Sequence, residues 1–454
     1  MHKRWIWLSI LVIPILIVAC TPSTPAAPTQ APAKPAAAAP TTAPAAPAAP
    51  APTQAGAAQP AAQAPSVIKL GALFSMSGQS SSVGVTQMNG AKLAVKELND
   101  RGGIKFGGQQ VKVELVERDD ASTPDTGVQR YRQMVQDDKV NLICGGTSAN
   151  VPGAINEEMK KTPGMLITSN GLAIDTFKKA NKAPYLMQYP FSTYSNGRVA
   201  ARILMDMKPK SVVLFLPDYA YGQDMNKAIM EVLPAKAPDI KVTVVFHPQG
   251  ATDLSSYIQK VMDAKPDVTL FSQWGNDGIT ALKQSYEMGL MKKTKVFFAH
   301  IASSFAQAVP PEALDGVEAH AFYYHDLTGL NDPATEKSAK DFADKYIKAF
   351  QTFPDTYSST AYGGIMELAR GIEISQSLDP GKVYGALQAN PEITTGVRGK
   401  GKWRVDGQVD WQYVFFRGVG KPASERADPK FDYMKIVSGT PDNGATPDPK
   451  ELGW

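Results

Sequence analysis

Several residue types and motifs are scarce or missing in this 454-residue chain. It has two cysteines, Cys20 and Cys144, and five histidines whose spacing does not fit a metal site. Neither Gly-x-Ser-x-Gly nor His-Glu-x-x-His occurs, and no basic run is interleaved with aromatic residues. The net charge of +4 is small for this length. These absences argue against a metal or cofactor site, against the common hydrolase signatures and against nucleic acid as a partner.

The N-terminus, by contrast, has a recognisable pattern. Lys3 and Arg4 precede an apolar run that ends at Ala19, which is the pattern of an export signal over residues 1–19. The four residues that end at Cys20, Ile-Val-Ala-Cys, resemble the bacterial lipobox, which predicts lipidation of Cys20 and attachment to a membrane. An ordinary signal or an uncleaved anchor helix is the alternative. The run is short for a membrane span, which needs ~20 residues, and Pro14 interrupts it.

Residues 20–65 have the composition of a tether. After Cys20 they are almost entirely Ala, Pro, Thr and Gln, without an aromatic residue and with one charge, Lys34. Such a segment cannot bury enough apolar surface to fold, and its prolines favour an extended spacer of ~3.1 Å per residue. The tether can therefore hold a folded body on the order of 100 Å from a membrane. A passive low-complexity segment is the alternative.

From Val67 onward, short apolar runs alternate with segments of helical period. Val67–Phe74, Val111–Glu117 and Met165–Thr168 are predicted strands, whereas Gly90–Leu98 and Pro333–Phe350 are predicted helices. Two successive blocks of this kind predict an α/β fold with two doubly wound lobes. Ligands of such sheets bind beyond the carboxyl ends of the strands.

The loops at those strand ends are rich in Ser, Thr, Gly and aromatic residues and poor in catalytic pairs. They are Ser75–Gly84, Gly145–Asn150, Ser169–Ala173, Asp218–Gly222, Ser272–Asp277 and His300–Ser304. This composition predicts binding rather than catalysis. Cys144 lies in an apolar run and is predicted to be a buried structural thiol.

The order of several short motifs resembles the branched-chain amino-acid binding-protein family of periplasmic substrate-binding proteins. The motifs are Ser77-Gly78, Asn89-Gly90-Ala91, Asn99–Ile104, Asp119-Asp120-Ala121, Asp218–Gly222 and Met288-Gly289-Leu290. The resemblance runs from about Val67 to Phe416. It implies a type I two-lobe fold that closes on a small organic ligand and delivers it to an ABC permease and its ATPase. It also implies a monomer that works outside the cytoplasm.

The same resemblance implies three hinge crossovers, near Gln188, Ala319 and Lys402. Residues 66–188 and 320–401 would then form lobe 1, and residues 189–319 and 402–437 lobe 2. Residues 438–454 would form a polar tail.

The resemblance also implies a set of binding residues. A ligand carboxylate would be held by hydroxyls and backbone N–H groups of Thr147, Ser148, Gly171, Leu172 and Ala173. For each residue, the alternative is a turn that merely caps the next helix.

Further expected contacts come from the first loop and from aromatic side chains. Ser77 and Val83 belong to the first loop, and Tyr221, Trp274 and Tyr357 would form aromatic walls supplied by the second lobe. For the aromatic residues, packing in the core or at the rim is the alternative.

Three positions depart from the family pattern. The loop from Ala299 to Ser304 lacks the acid that pairs with a ligand ammonium, and Asp277 is more simply expected to cap its own helix. Val83 stands where an aromatic residue is frequent, and Ala173 where a threonine is usual. His300 would donate to a carboxylate or carbonyl, with a structural histidine as the alternative. We therefore expect a small amino-acid-like, amide or carboxylate ligand with an aromatic or branched aliphatic body, and an ordinary L-amino acid is less favoured.

Three rival functions remain open at this level. An enzyme would need a converging nucleophile and base, which the loops do not offer. A ligand-sensing lipoprotein of the same fold would signal through a separate membrane partner. A purely structural lipoprotein would bind no ligand.

Overall fold

The structure, a computed structural model, describes residues 64–454, which belong to one compact unit. The predicted signal at residues 1–19, the predicted lipidation at Cys20 and nearly all of the predicted tether lie outside the described residues. No helix among the described residues is long and apolar enough to cross a membrane.

The first sheet has five parallel strands. In spatial order they are Val113–Asp119, Ile68–Phe74, Leu142–Gly145, Met165–Thr168 and Leu186–Gln188. The three strands on the Leu142 side of this order are completely buried, as expected for parallel strands covered on both faces.

Helices cover this sheet, and we call the sheet and these helices the first lobe. They are Ser81–Asp100, Pro124–Arg132 with its continuation Gln133–Asp137, Asn150–Met159, Ile174–Phe177, Pro333–Phe350, Thr356–Ser375 and Pro380–Ala389. Gly90 allows the two longest helices to touch, because a Cβ there would lie 2.0 Å from the Ser358 carbonyl oxygen.

The second sheet has seven strands. In spatial order they are Met434–Thr440, Phe415–Gly420, Glu318–Ala321, Lys295–Ala299, Val268–Phe271, Ser211–Asp218 and Lys241–Pro248. The first two are antiparallel edge strands, and the other five are parallel.

The second sheet and its helices form the second lobe. The helices are Thr193–Met207, Ala220–Lys236, Ser255–Asp263, Asn276–Glu287, Leu290–Lys292, Ser303–Ala306, Pro311–Leu314 and Ala423–Glu425. The predicted class, α/β with two doubly wound lobes, is confirmed.

Two small antiparallel sheets complete the fold. One is the hairpin Ile104–Phe106 and Gln109–Val111. The other pairs Glu392–Ile393, Gly401–Trp403 and Val409–Trp411. After the first-lobe helices, the chain therefore returns to the second sheet only at Phe415. The predicted lobe bounds themselves stay predictions.

The connections between the sheets meet around a buried arginine. Arg398 is 1% exposed, and its guanidinium lies 3.8 Å from the Phe322 ring centroid. It donates to the carbonyls of Phe322, Tyr413 and Val414. Arg398 therefore binds together two segments that lead into or out of the second sheet.

The C-terminal residues lie against both lobes. Thr446 Oγ1 lies 2.9 Å from Ser195 Oγ of the second lobe. The Trp454 indole donates to the Phe177 carbonyl of the first lobe at 2.9 Å. A short helix, Pro449–Leu452, lies between these contacts.

Element ends account for most differences from the sequence expectations. The predicted loop Ser75–Gly84 is shorter, because a helix begins at Ser81 and includes Val83. The predicted strand Val111–Glu117 is observed at Val113–Asp119.

Candidate functional site

Loops at the strand ends of the two lobes meet, and we call the region between them the crevice. Gln79 of the first lobe donates from Nε2 to Asp277 Oδ1 of the second at 2.8 Å. A Cβ placed on Gly275 would lie 3.4 Å from the Gln79 carbonyl oxygen and 3.8 Å from Ser80 Cα. The first-lobe loop after Phe74 therefore contacts the second-lobe loop that carries Trp274.

Tyr221 lies at the start of a second-lobe helix and is 6% exposed. Its hydroxyl lies 2.8 Å from Ser272 Oγ and accepts from Asn196 Nδ2 at 3.2 Å. Burial raises the pKa of Tyr221 to about 12, so the phenol is neutral. The ring of Tyr219 lies 6.0 Å away, centroid to centroid.

Trp274, Tyr357 and His300 form an aromatic group. The Tyr357 ring meets Trp274 edge-on at 5.7 Å and His300 edge-on at 5.5 Å. Tyr357 lies on the Thr356–Ser375 helix, which packs against the first lobe. The expectation that the second lobe supplies all three aromatic walls is therefore wrong for Tyr357, which contacts second-lobe rings from across the crevice.

His300 has an unusual backbone and a buried ring. Its φ of +68° lies in the left-handed region, and the residue is 2% exposed. Burial lowers its pKa to about 3, so the imidazole is neutral. Nδ1 lies 3.3 Å from the Tyr357 hydroxyl. If that hydroxyl donates to Nδ1, the ring proton is on Nε2, which is then a hydrogen-bond donor.

Seven buried polar atoms in the crevice loops and on the first long helix have no hydrogen-bond partner among the described residues. They are Ser80 Oγ, Ser82 Oγ, Gln87 Oε1, Gln273 Oε1, Trp274 Nε1, His300 Nε2 and Ser304 Oγ. Leaving such a group unpaired costs about 1–3 kcal/mol, so native proteins rarely do so without reason. These atoms fit contacts with the polar groups of a guest molecule.

On the first-lobe side, Thr147 is completely buried after the third strand. Its Oγ1 accepts from the Ser75 N–H at 2.9 Å, and no acceptor for its own hydroxyl proton lies among the described residues. Ser148 beside it is 2% exposed. Gln87 Nε2 donates to Ser169 Oγ at 2.6 Å, which joins the first long helix to the loop after Thr168.

The loop from Ser169 to Ala173 makes its hydrogen bonds mainly to neighbouring protein residues. The Leu172 N–H donates to Gln188 Oε1 at 2.6 Å, and its carbonyl accepts from the Thr193 N–H at 3.1 Å. A Cβ on Gly171 would lie 2.7 Å from the Phe191 carbonyl oxygen. Ala173 is half-buried. Leu172 thus has no free N–H for a ligand, contrary to what the resemblance implies.

Ser77 and Val83, which were expected to contact the ligand, do not join the aromatic group of Trp274, Tyr357 and His300. Ser77 is exposed, and its hydroxyl donates to Asp119 Oδ2 at 2.7 Å within the first lobe. Val83 is completely buried in the apolar core. Ser80 is the buried hydroxyl of this loop instead. It precedes the first helix without capping it, which leaves its oxygen unpaired.

Sequence reasoning missed Ser80, Gln87, Asn196 and Ser272. Ser80 and Ser272 lie inside loops whose composition already predicted a binding role for the loop, although neither residue was named. Gln87 and Asn196 lie on helices, where a lone amide gives no recognisable signal. Only the packing of helices against strand ends brings them here.

Of the acids near the crevice, Asp277 is already engaged, whereas Asp120, which accepts from Ser75 Oγ, keeps one buried carboxylate oxygen unpaired among the described residues. Asp277 was expected to cap its own helix, but its carboxylate instead accepts from Gln79 Nε2 and from the Gly250 N–H at 3.0 Å. Burial raises the pKa of Asp277 to about 6. Since the loop from Ala299 to Ser304 contains no acid, a ligand ammonium would find no free carboxylate in either place.

Metal and thiol chemistry gain no support from the described residues. No group of three or more His, Cys, Asp and Glu side chains there is placed to hold a metal ion. Cys144 is buried as predicted, and burial raises the pKa of its thiol.

Comparison with known proteins yields a family and a set of similar folds. Residues 67–422 match the family model described as periplasmic binding protein. A Leu/Ile/Val-binding protein of Rhizobium johnstonii is 24% identical over 339 residues, which cover 74% of this chain and 88% of that protein.

Two solved structures show the same architecture. The branched-chain amino acid transporter substrate-binding protein of Streptococcus pneumoniae, in complex with isoleucine, gives a TM-score of 0.69 at 20% identity and covers 82% of this chain and 99% of its own. A solute-binding protein of an ABC transporter from Rhodopseudomonas palustris, in complex with 3,4-dihydroxybenzoic acid, gives 0.72 at 20% identity, with 84% and 100% covered. At 20% sequence identity, the similarity to these two structures establishes the fold.

The family model spans the first sheet, all but the last strand of the second sheet and every loop of the crevice, and the proteins matched here bind solutes rather than transform them. This chain therefore belongs to the periplasmic binding protein family.

Proposed function

We propose that the protein is an extracytoplasmic solute-binding lipoprotein of an ABC importer. It captures a small organic molecule with a carboxylate or amide head and presents the closed form to a permease. Family membership and the two-lobed fold support the capture step. Lipidation at Cys20, delivery to a permease and its ATPase, and action as a monomer belong to the proposal.

The proposed class of ligand rests on the hydrogen-bond donors of Trp274 and His300. An indole Nε1–H only donates, and the neutral imidazole donates from Nε2 when Tyr357 donates to Nδ1. His300 Nε2 is a buried donor without a partner among the described residues, and Trp274 Nε1, which faces the Tyr357 hydroxyl, is a second donor; both match the oxygen atoms of a carboxylate or an amide. An ammonium group has only donors to offer and cannot pair with them.

The aromatic rings around these donors favour an apolar body on the ligand. Tyr221, Trp274 and Tyr357 offer ring faces and edges that pack against an aromatic ring or a branched aliphatic chain. The two similar structures with isoleucine and 3,4-dihydroxybenzoic acid show that this fold accommodates bodies of both kinds. We therefore propose benzoate-like or branched aliphatic carboxylates and their amides.

A thermal-shift panel on a chain of residues 61–454 tests the ligand class. The panel pairs benzoate and benzamide with benzylamine, which has a similar ring and an ammonium head, and adds leucine, isoleucine and urea. A carboxylate or amide should raise the melting temperature by mass action, whereas benzylamine should not. Stabilisation by an L-amino acid alone would overturn the reasoning from the loop without an acid.

Anchoring is tested separately in cells of the source organism. The full chain should fractionate with membranes and incorporate labelled fatty acid, and a Cys20→Ala variant should lose the label. Membrane association of that variant through an uncleaved N-terminus would instead support an anchor helix.

A further inference from the structure

A basic groove lies at the edge of the second sheet opposite the crevice. It measures about 740 Å³ and carries six exposed lysines, which are Lys208, Lys210, Lys265, Lys292, Lys293 and Lys295. The strand register brings them together, because Lys295, Val268 and Val212 are partners across three adjacent strands. Neighbouring strands are ~4.8 Å apart, so the segments that carry the lysines lie side by side.

These lysines outnumber the acids that line the groove by six to one. None of the six forms an ion pair within the part of the chain that the structure describes. The one acid that lines the groove, Asp267, accepts from the N–H groups of Lys210 and Ser211 at 2.7 and 3.0 Å. Nearby Asp206 lies 3.5 Å from Arg417 instead. Like charges gathered without partners repel one another, and a polyanion relieves that repulsion.

The floor of the groove is apolar in part. Met207 lines it together with Pro209 and Pro266, and an adjoining cavity of about 330 Å³ continues from Met207 to Met291 and Val317. Two acids also line that cavity, and both are ion-paired, Asp315 with Arg426 and Glu318 with Arg417. A lysine rim around methionine and proline side chains fits a surface that has anionic groups with hydrocarbon just beneath them.

We propose that this basic groove docks the protein onto an anionic phospholipid surface. The proposal rests on the proposed lipid anchor at Cys20, which would keep the body within reach of a bilayer at high effective concentration. An acyl anchor combined with a basic patch holds a protein more firmly than one acyl chain alone. A small soluble anion would engage only one or two lysines, whereas a lipid surface engages the whole row.

The position of the groove is compatible with ligand capture. Ser272 and His300 of the crevice follow the carboxyl ends of the strands whose amino ends border the groove. Strands of four to eight residues separate the two sites by ~15–25 Å. A body docked through the groove therefore keeps its crevice free.

Vesicle co-sedimentation tests the proposal on residues 61–454, which contain both complete sheets and lack the anchor. We expect binding to vesicles that contain phosphatidylglycerol, weak binding to pure phosphatidylcholine, and release at high salt. A variant with Lys208, Lys265, Lys292 and Lys293 all changed to Gln should bind at least tenfold more weakly, since each lysine near such a surface contributes about fivefold.

The matched control changes four other exposed lysines to Gln, namely Lys69, Lys382, Lys430 and Lys435. It has the same net charge as the groove variant and should bind vesicles nearly like the parent chain. Equal losses in both variants, or no preference for phosphatidylglycerol, would overturn the proposal.

Two competitors separate other anions from a lipid surface. Release by millimolar inorganic phosphate would assign the groove to a soluble anion, and binding of polyglutamate without vesicle binding would assign it to an acidic protein. Either result would overturn the proposal. The thermal-shift response to crevice ligands should be unchanged in the groove variant, so failure here is distinguishable from failure of the ligand assignment.

Discussion

The two faces of the crevice use their polar atoms differently. On the first-lobe face, the Leu172 amide and the Ser77 hydroxyl bond within their own lobe. On the second-lobe face, Trp274 Nε1 and His300 Nε2 are buried without partners. The first-lobe face thus combines loops that bond within their own lobe with unpaired oxygen atoms such as Ser80 Oγ and Gln87 Oε1, whereas the second lobe carries the two nitrogen donors that select the ligand head.

This difference assigns the choice of ligand mainly to the second lobe. Two first-lobe hydroxyls are exceptions. The Thr147 oxygen is fixed by Ser75 while its proton has no acceptor among the described residues, and Ser80 Oγ has no partner there at all. Tyr357 reaches across from a first-lobe helix and completes the aromatic group. Substitutions on the two faces should therefore have separable effects.

The largest effect is expected from Trp274→Ala. It removes both the unpaired Nε1–H and the ring that meets Tyr357 edge-on, and affinity for the best ligand of the panel should fall about a hundredfold. Titration calorimetry measures this, with circular dichroism as the folding check. Trp454→Ala, which removes an indole that contacts Phe177 and Lys182 rather than the aromatic group, should change affinity less than threefold. Equal affinity of Trp274→Ala and the parent chain would remove Trp274 from the site.

His300→Gln should change the pH dependence of stability. The His300 pKa is near 6.5 when unfolded and about 3 when folded. Between these values only the unfolded state binds the proton, so the parent chain loses stability relative to the variant as pH falls, by about 1.4 kcal/mol per pH unit. Urea unfolding from pH 7 to pH 4.5 measures the two profiles. Parallel profiles would mean that His300 is solvated and does not form part of a dry site.

Thr147→Val tests the first-lobe face. The substitution leaves the buried Ser75 N–H without its acceptor and removes the free hydroxyl proton. We expect about a tenfold loss of affinity and about 1–3 kcal/mol of stability. Thr147→Ser keeps both functions of the hydroxyl and should restore affinity. If Thr147→Val loses stability alone, the hydroxyl is structural.

The smallest effect is expected from Gln79→Ala, which breaks the hydrogen bond to Asp277 across the crevice. A typical hydrogen bond contributes about 1 kcal/mol net, and Gln79 is only half-buried, so the ligand should dissociate about fivefold faster. Stopped-flow fluorescence of Trp274 measures that rate. Gln259→Ala removes a similar bond, to Asp263 on an exposed helix, and should leave the rate unchanged. An unchanged rate in Gln79→Ala would mean that this bond does not hold the lobes together.

Most of the fold follows from local sequence pattern. Met165–Thr168 and Pro333–Phe350 are observed with their predicted bounds, because buried runs and a proline start leave few alternatives. The start of the first helix was placed too late, since Ser80 precedes the helix without a side-chain cap. The hairpin that ends at Trp411 was missed because its pairing depends on contacts such as the Trp411 indole with the Tyr189 carbonyl, which no local pattern shows.

The candidate site was only partly predictable. Loop composition and family resemblance found Tyr221, Trp274 and His300, which the structure places in adjacent crevice loops. The engagement of Leu172 by Gln188 and the unpaired oxygen of Gln87 depend on how helices pack over strand ends. The spacing of residues along the sequence does not show which hydrogen bonds the folded protein already makes.

A crystal structure of residues 61–454 with the most stabilising compound of the panel tests the central claim most directly. We expect both lobes closed on the compound, with oxygen atoms of its head accepting from Trp274 Nε1 and His300 Nε2 and its body against Tyr221 and Tyr357. A compound bound outside the crevice, or a head group that contacts neither nitrogen, would contradict the account.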